Sequence, residues 1–196
     1  MQLLVLLFSN RLCLDQLVYE YAALALTFEV YFRGVDQSDP KIQQQMRDFV
    51  YELSAMPQIN RDPDFCWVID MEPFLSDDIS KIDMSDVPED QRAQADLLLH
   101  ALQTGNMTFE EKLDLVLNIP VLRDLYGEDI VRNDKGQIVT SRCYMYLREF
   151  DLDDVQSQVD LLFAQSDISA SQPVNQLPQN KANWAFFTFD TFYTYW

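Results

Sequence analysis

The sequence predicts an α+β fold in which one strand–helix unit is used twice. Three observations carry this. Phe28, Val30 and Phe32 alternate with Glu29, Tyr31 and Arg33, and Cys143, Met145 and Leu147 alternate in the same way further on. Strict alternation gives each strand one face packed on a core and one face toward water. Each strand then ends in an Arg, an Asp and an acidic cap region that opens a helix. These are Arg33, Asp36 and Ser38-Asp39-Pro40 in the first unit, and Arg148, Asp151 and Asp153-Asp154 in the second. Finally, both helices carry apolar stripes at three and four spacing. The first stripe is Ile42, Met46, Phe49, Val50 and Leu53; the second is Val155, Val159, Leu162 and Phe163. Two such units, each returning to a further strand, give the βαββαβ order of a ferredoxin-like split βαβ sandwich.

The first element, residues 1–25, fits the rest poorly. Met1 to Phe8 is apolar, but Ser9-Asn10-Arg11 follows at once. A spanning helix needs about 20 apolar residues, and a secretory signal wants a basic start and a longer apolar centre. This stretch is expected to be an atypical helix packed on the domain, or a leader. Leu26 to Val35 is the first strand. Pro40 suits the first helical position of a helix that reaches Met56 and stops at Pro57. Asn60 to Asp64 reads as a turn. Phe65-Cys66-Trp67-Val68-Ile69-Asp70 reads as a short second strand.

A helical insertion is expected over about 73–130, between the second and third strands. It begins with an acidic loop (Asp77, Asp78, Asp83, Asp86, Glu89, Asp90). A helix with Ala95, Leu97, Leu98, Ala101 and Leu102 follows and closes at Gly105. Thr108 and Glu111 form a capping box for a helix that ends before Pro120. Val121 to Tyr126 is one more short piece, with Gly127 as its C-cap. Asn133-Asp134-Lys135-Gly136 is a tight hairpin-like turn. Gln137 to Phe150 is the third strand, and the second helix runs from Asp153 to Gln165. Residues 167–183, with Pro173 and Pro178, form a polar connector. Trp184 to Phe189 is the fourth strand. The aromatic tail 190–196 fits either that core strand continued or the edge of a membrane segment, where Trp and Tyr favour the interface.

Composition narrows the function. The chain has 196 residues, 48% hydrophobic and 13% aromatic, so it can bury a core. Its net charge of -18 argues against nucleic acid and against an anionic membrane surface as direct partners, since both need a basic face. Only four glycines are present, which argues against phosphate-cradling loops. His100 is the only histidine, and its place in a helix is that of a surface residue. No nucleophile–base set and no carboxylate spacing singles out an acid–base pair, so no enzyme, catalytic residue or cofactor is expected. Asp83-Met84-Ser85-Asp86 and Asp151-Leu152-Asp153-Asp154 lack the central Gly and final Glu of a calcium loop, and no metal site is expected.

Cys13, Cys66 and Cys143 have no zinc or redox spacing, and an odd count fits buried thiols. The alternative is a disulfide between Cys66 and Cys143, which the neighbouring second and third strands of such a sheet allow in an oxidising compartment. Asn106-Met107-Thr108 makes Asn106 a candidate glycosylation acceptor, in a loop between two helices.

Several segments, taken in order over residues 26–196, resemble a known family. They are Val30-Tyr31-Phe32-Arg33-Gly34-Val35-Asp36-Gln37-Ser38-Asp39-Pro40, Gln43-Gln44-Gln45-Met46, Phe65-Cys66-Trp67-Val68 and Leu125-Tyr126-Gly127-Glu128-Asp129-Ile130. Further on come Ile138-Val139-Thr140-Ser141-Arg142, Asp151-Leu152-Asp153-Asp154-Val155, Ser171-Gln172-Pro173-Val174-Asn175 and Trp184 to Trp196. Together these resemble the second extracellular loop domain of Patched-like permeases, relatives of the Niemann–Pick type C sterol transporters in the resistance–nodulation–division superfamily. The resemblance implies a porter-type ectodomain, on the extracellular or luminal side of a membrane protein, that helps shape a path for sterol or other lipid. Its partners would be the permease's membrane helices and its other ectodomain, and its lipid contacts would be outward aromatics of the strands and tail. The resemblance does not reach residues 1–25. A stand-alone soluble acidic α+β binding or scaffold domain is the alternative.

Overall fold

The computed structural model describes residues 27–59, 65–76, 89–147 and 154–189. Strand β1, Thr27–Arg33, buries Phe28, Val30 and Phe32 completely and turns Glu29, Tyr31 and Arg33 to its other face. Gly34 follows with φ 67, a left-handed conformation that needs no Cβ and lets the chain leave the sheet at once. Helix α1, Pro40–Ser54, starts where Asp39 accepts a hydrogen bond from the Lys41 amide at 2.8 Å, with Pro40 in the first turn. Its buried side is Met46, Phe49, Val50 and Leu53, as the periodicity predicts.

The expected second strand at Phe65–Asp70 is not one. Trp67–Asp70 is a helical turn, α2, followed by a second, α3, at Glu72–Leu75. The buried positions Trp67, Val68, Met71, Phe74 and Leu75 follow helical spacing. A short apolar run cannot by itself tell a strand from a buried helix, and here the helical period wins. Three further helices follow: α4, Glu89–Thr104; α5, Phe109–Leu117; and α6, Pro120–Tyr126. At α5 the capping box is formed in both directions, Thr108 Oγ1 accepting from the Glu111 amide and Glu111 accepting from the Thr108 amide.

The true second strand, β2, is Ile130–Arg132, and β3 is Ile138–Tyr146. A tight turn joins them. Asn133 accepts side-chain hydrogen bonds from the amides of Lys135 and Gln137, and Gly136 takes φ 80. The helical insertion therefore precedes β2 in the order of elements and does not separate β2 from β3, as the sequence suggested. Among the described residues, Ile69–Glu128 form one compact unit, and the residues before and after them form the other.

Helix α7 is Val155–Ser171, capped by Asp154, whose carboxylate accepts from the Ser157 amide at 3.1 Å. It extends into what the sequence suggested was connector. A 3-10 turn at Pro173–Gln176 leads on to β4, Phe186–Phe189. The sheet order is β4-β1-β3-β2, with every neighbouring pair antiparallel. One face of it is the core. Phe32 meets Phe49 and Phe186 edge-on, with ring centroids 6.2 and 5.0 Å apart, and Phe49 stacks on Phe186.

Helix α7 does not bury the stripe expected of it. Leu161, Gln165 and Ser169 face inward, while Val155 and Phe163 are 66% and 63% exposed. A buried asparagine replaces apolar packing at this end. Asn175 donates to the backbone oxygens of Ser169 and Phe186, both at 2.7 Å, and accepts from the amides of Ala185 and Phe186. It thereby ties the end of α7 to the start of β4.

Residues 1–25, the acidic loop from Asp77 to Asp86, the segment Arg148–Asp153 and the tail 190–196 lie outside the described residues, and so do the sequence expectations placed on them.

Candidate functional site

Alternation in the strands builds a second face on the sheet, opposite the core. Glu29, Tyr31 and Arg33 stand on it from β1, Arg142 and Tyr144 from β3, and Phe187 and Phe189 from β4. Register sets their order. Tyr31 lies between Phe187 and Arg142, and Glu29 lies between Phe189 and Tyr144. Cross-strand neighbours this close interact directly. Tyr31 stacks on Phe187 with centroids 5.3 Å apart and planes 10° from parallel. The Arg33 guanidinium sits over the other part of this platform, 4.5 Å from the Phe187 centroid, a cation–π distance.

Arg142 is the polar centre. Its Nε donates to Asp129 Oδ1 at 2.6 Å and its Nη1 to Glu29 Oε1 at 3.2 Å, while its guanidinium lies 4.9 Å from the Tyr144 ring. The Tyr31 hydroxyl donates to the other oxygen of Glu29. Burial alone would lower the Arg142 pKa. The hydrogen bonds that Arg142 donates to Asp129 and Tyr31 and the charge of Asp129 outweigh it, and the pKa is raised. Burial, helped by Glu29, raises the Tyr31 pKa, and burial with the nearby Asp129 charge pushes Tyr144 up to about 12. At neutral pH both tyrosines keep their protons and Arg142 keeps its charge. Such a face can bind by stacking, with a fixed polar anchor, and these three groups do not transfer protons near neutrality.

The other candidate residues are spread elsewhere. Cys66 and Cys143 are joined in a disulfide with Cα atoms 4.5 Å apart, so the reading of both as free buried thiols is overturned. Cys143 is on β3 as expected, whereas Cys66 lies just before α2. Asn106 is exposed between α4 and α5. It borders a cleft of about 310 Å³ within the helical unit, lined also by Leu102, Met107 and the buried Lys112. His100 is exposed on α4. Among the described residues no three acidic, His or Cys side chains come together as a metal site would require, and no helix is long and apolar enough to cross a membrane.

The sequence announced the outer positions of Glu29, Tyr31 and Arg33 through alternation. It gave no sign of the Glu29–Arg142–Asp129 linkage, because the first half depends on register between strands 113 residues apart and the second on the register of the β2–β3 hairpin. No family model, no curated protein and no solved structure matches the chain.

Proposed function

We propose that this chain is an extracellular or luminal domain of a Patched-like permease of the resistance–nodulation–division superfamily, and that it helps form a path for sterol or other lipid. The observation that carries this reading is the sheet order β4-β1-β3-β2, with α1 leaving β1 and α7 joining β3 to β4. That order supports a ferredoxin-like split βαβ sandwich, the fold that the family resemblance implies. The Cys66–Cys143 disulfide suits an oxidising compartment, and the exposed Asn106 in its acceptor triplet suits the same side of a membrane. On this reading the domain binds and guides and does not itself catalyse. The Phe187–Tyr31 platform and Phe189, which is 46% exposed, would be its contacts with lipid or with the permease's other ectodomain.

The test is to read the transcript across both ends of the chain. The expected result is an open frame that runs on past Trp196 into about 20 apolar residues. A stop codon directly after Trp196, together with a true start at Met1, would overturn the proposal and leave a soluble acidic binding or scaffold domain.

A further inference from the structure

Strand β3 pairs with β1 along one edge from Thr140 to Tyr146. Its other edge meets separate pieces of chain. The Tyr144 amide donates to Phe65 O at 3.4 Å. Cys143 is bridged to Cys66. The Arg142 amide donates to Asp129 O at 3.0 Å, and Ser141 and Thr140 pair with Ile130 and Val131. Taken along β3 from Tyr144 to Thr140, the partners are thus Phe65, Cys66, Asp129, Ile130 and Val131, one for one and antiparallel.

Cys66 and Asp129 are neighbours on this ladder although residues 67–128 lie between them in sequence. The spacing is that of one unbroken strand. In an antiparallel pair, alternate residues bond to a given edge, and the residue between them forms a non-hydrogen-bonded pair with Cα atoms about 4.5 Å apart. Here the amides of Arg142 and Tyr144 bond to this edge, and Cys143 between them faces Cys66 at a Cα separation of 4.5 Å. The division into two compact units, at 68/69 and 128/129, falls close to the same two points.

We infer that Phe65-Cys66 and Asp129–Arg132 are two halves of a single edge strand, and that residues 67–128 are a module looped out of its middle. The break is closed by a clasp on adjacent residues of β3. Cys143 holds the incoming half through the disulfide. Arg142 holds the outgoing half through its amide and through its Nε, 2.6 Å from Asp129 Oδ1. Phe65, with φ 57, is the point at which the chain enters this edge, in a conformation that non-glycine residues avoid, and the chain leaves it after Cys66, at the helical turn that begins with Trp67. The two fastenings differ in chemistry, so the clasp is redox-sensitive on one side only. A dithiol reductant gives two electrons and two protons, converts the bridge to two thiols and becomes a disulfide itself. The incoming half is then freed, and the module stays held by the outgoing half.

Hydrogen exchange on the full chain, with and without dithiothreitol, and on the Cys66→Ser variant, tests the clasp. Exchange of the Tyr144 amide is expected to rise by about tenfold or more, with the Arg142 amide and the β1–β3 ladder still protected. Simultaneous loss of protection across β1 and β3 would overturn the inference, because the bridge would then hold the whole sheet. An unchanged Tyr144 amide would overturn it too. A second chain, with Cys66 joined directly to Asp129, tests the single strand. It loses the buried Trp67 and Val68, so its stability falls, but its register does not change. It is expected to form the Cys66–Cys143 bridge and keep protection in β1 and β3. Joints one residue longer or shorter should fail, since a one-residue slip turns every following side chain to the wrong face. A matched joint that bridges no better than the shifted ones would sink the idea.

Discussion

The two strand–helix units begin alike and end differently. In the first, α1 places its apolar stripe on the sheet, and Met46, Phe49, Val50 and Leu53 are fully buried. In the second, α7 turns Val155, Leu162 and Phe163 outward and sets Gln165 and Ser169 against the sheet side, with Thr188 Oγ1 3.5 Å from Gln165 Oε1. The first unit is held by ring packing. The second is held by Leu161, by the Gln172 amide donating to Glu52 of α1 at 2.8 Å, and by the hydrogen bonds of Asn175. Similar spacing in the sequence is therefore not similar docking. The backbone groups at the β4 end of the sheet must be hydrogen-bonded, and Asn175, just past α7, pairs with them, while Gln165 Nε2 and Ser169 Oγ of the helix are buried without a partner.

The largest effect should come from the apolar unit. Phe49→Ala removes a ring packed on both Phe32 and Phe186. A loss of about 3–5 kcal/mol is expected, the usual range for a fully buried aromatic. Urea denaturation of the two proteins measures it. A loss under 1 kcal/mol would mean that α1 does not anchor the core, and the contrast with α7 would vanish.

The polar unit should fail next, and for a different reason. Asn175→Ala deletes no large side chain, yet it leaves the amide of Ala185 without its side-chain acceptor and the oxygen of Ser169 with only the Gln172 amide at 3.3 Å. Buried groups left unpaired cost about 1–3 kcal/mol each, partly relieved by relaxation, so about 2–3 kcal/mol is expected in the same assay. Asn175→Asp should recover the accepting half of the bonds and lose the donating half. If Asn175→Ala proves neutral, α7 is held by apolar contacts after all.

How much of this could be read in advance follows from the same contrast. The alternation of β1 and β3, the α1 stripe, the Thr108–Glu111 box and the Asn133–Gly136 turn are local patterns, and each is where the sequence put it. Phe65–Asp70 was not legible because six apolar-rich residues carry too few periods to separate a strand from helical turns. The docking of α7 was not legible because its buried positions are a leucine, a glutamine and a serine. Asn175 sat in a stretch that looked like polar connector. On the candidate face, the ring positions follow from alternation, but Arg142 meets Asp129 and Glu29 only through tertiary register.

The smallest expected effect is the sharpest test of the difference. Phe163 is the bulkiest residue of the stripe that periodicity assigned to the core, and it is 63% exposed. Phe163→Ser should change stability by no more than about 0.5 kcal/mol, as surface substitutions do. The stripe read from the spacing of α7 would place Phe163 in the role of Phe49 or Val50, and the same change would then cost several times more. Each residue along a helix is displaced about 100° around its axis, so Phe163 and Gln165 stand about 160° apart. They cannot both face the sheet. A large loss at Phe163 would require α7 to be turned nearly halfway round, and Gln165 and Ser169 would then be the exposed residues. A negligible loss there, beside a loss of kilocalories at Phe49, would establish that the apolar stripe of α7 is not the face it buries.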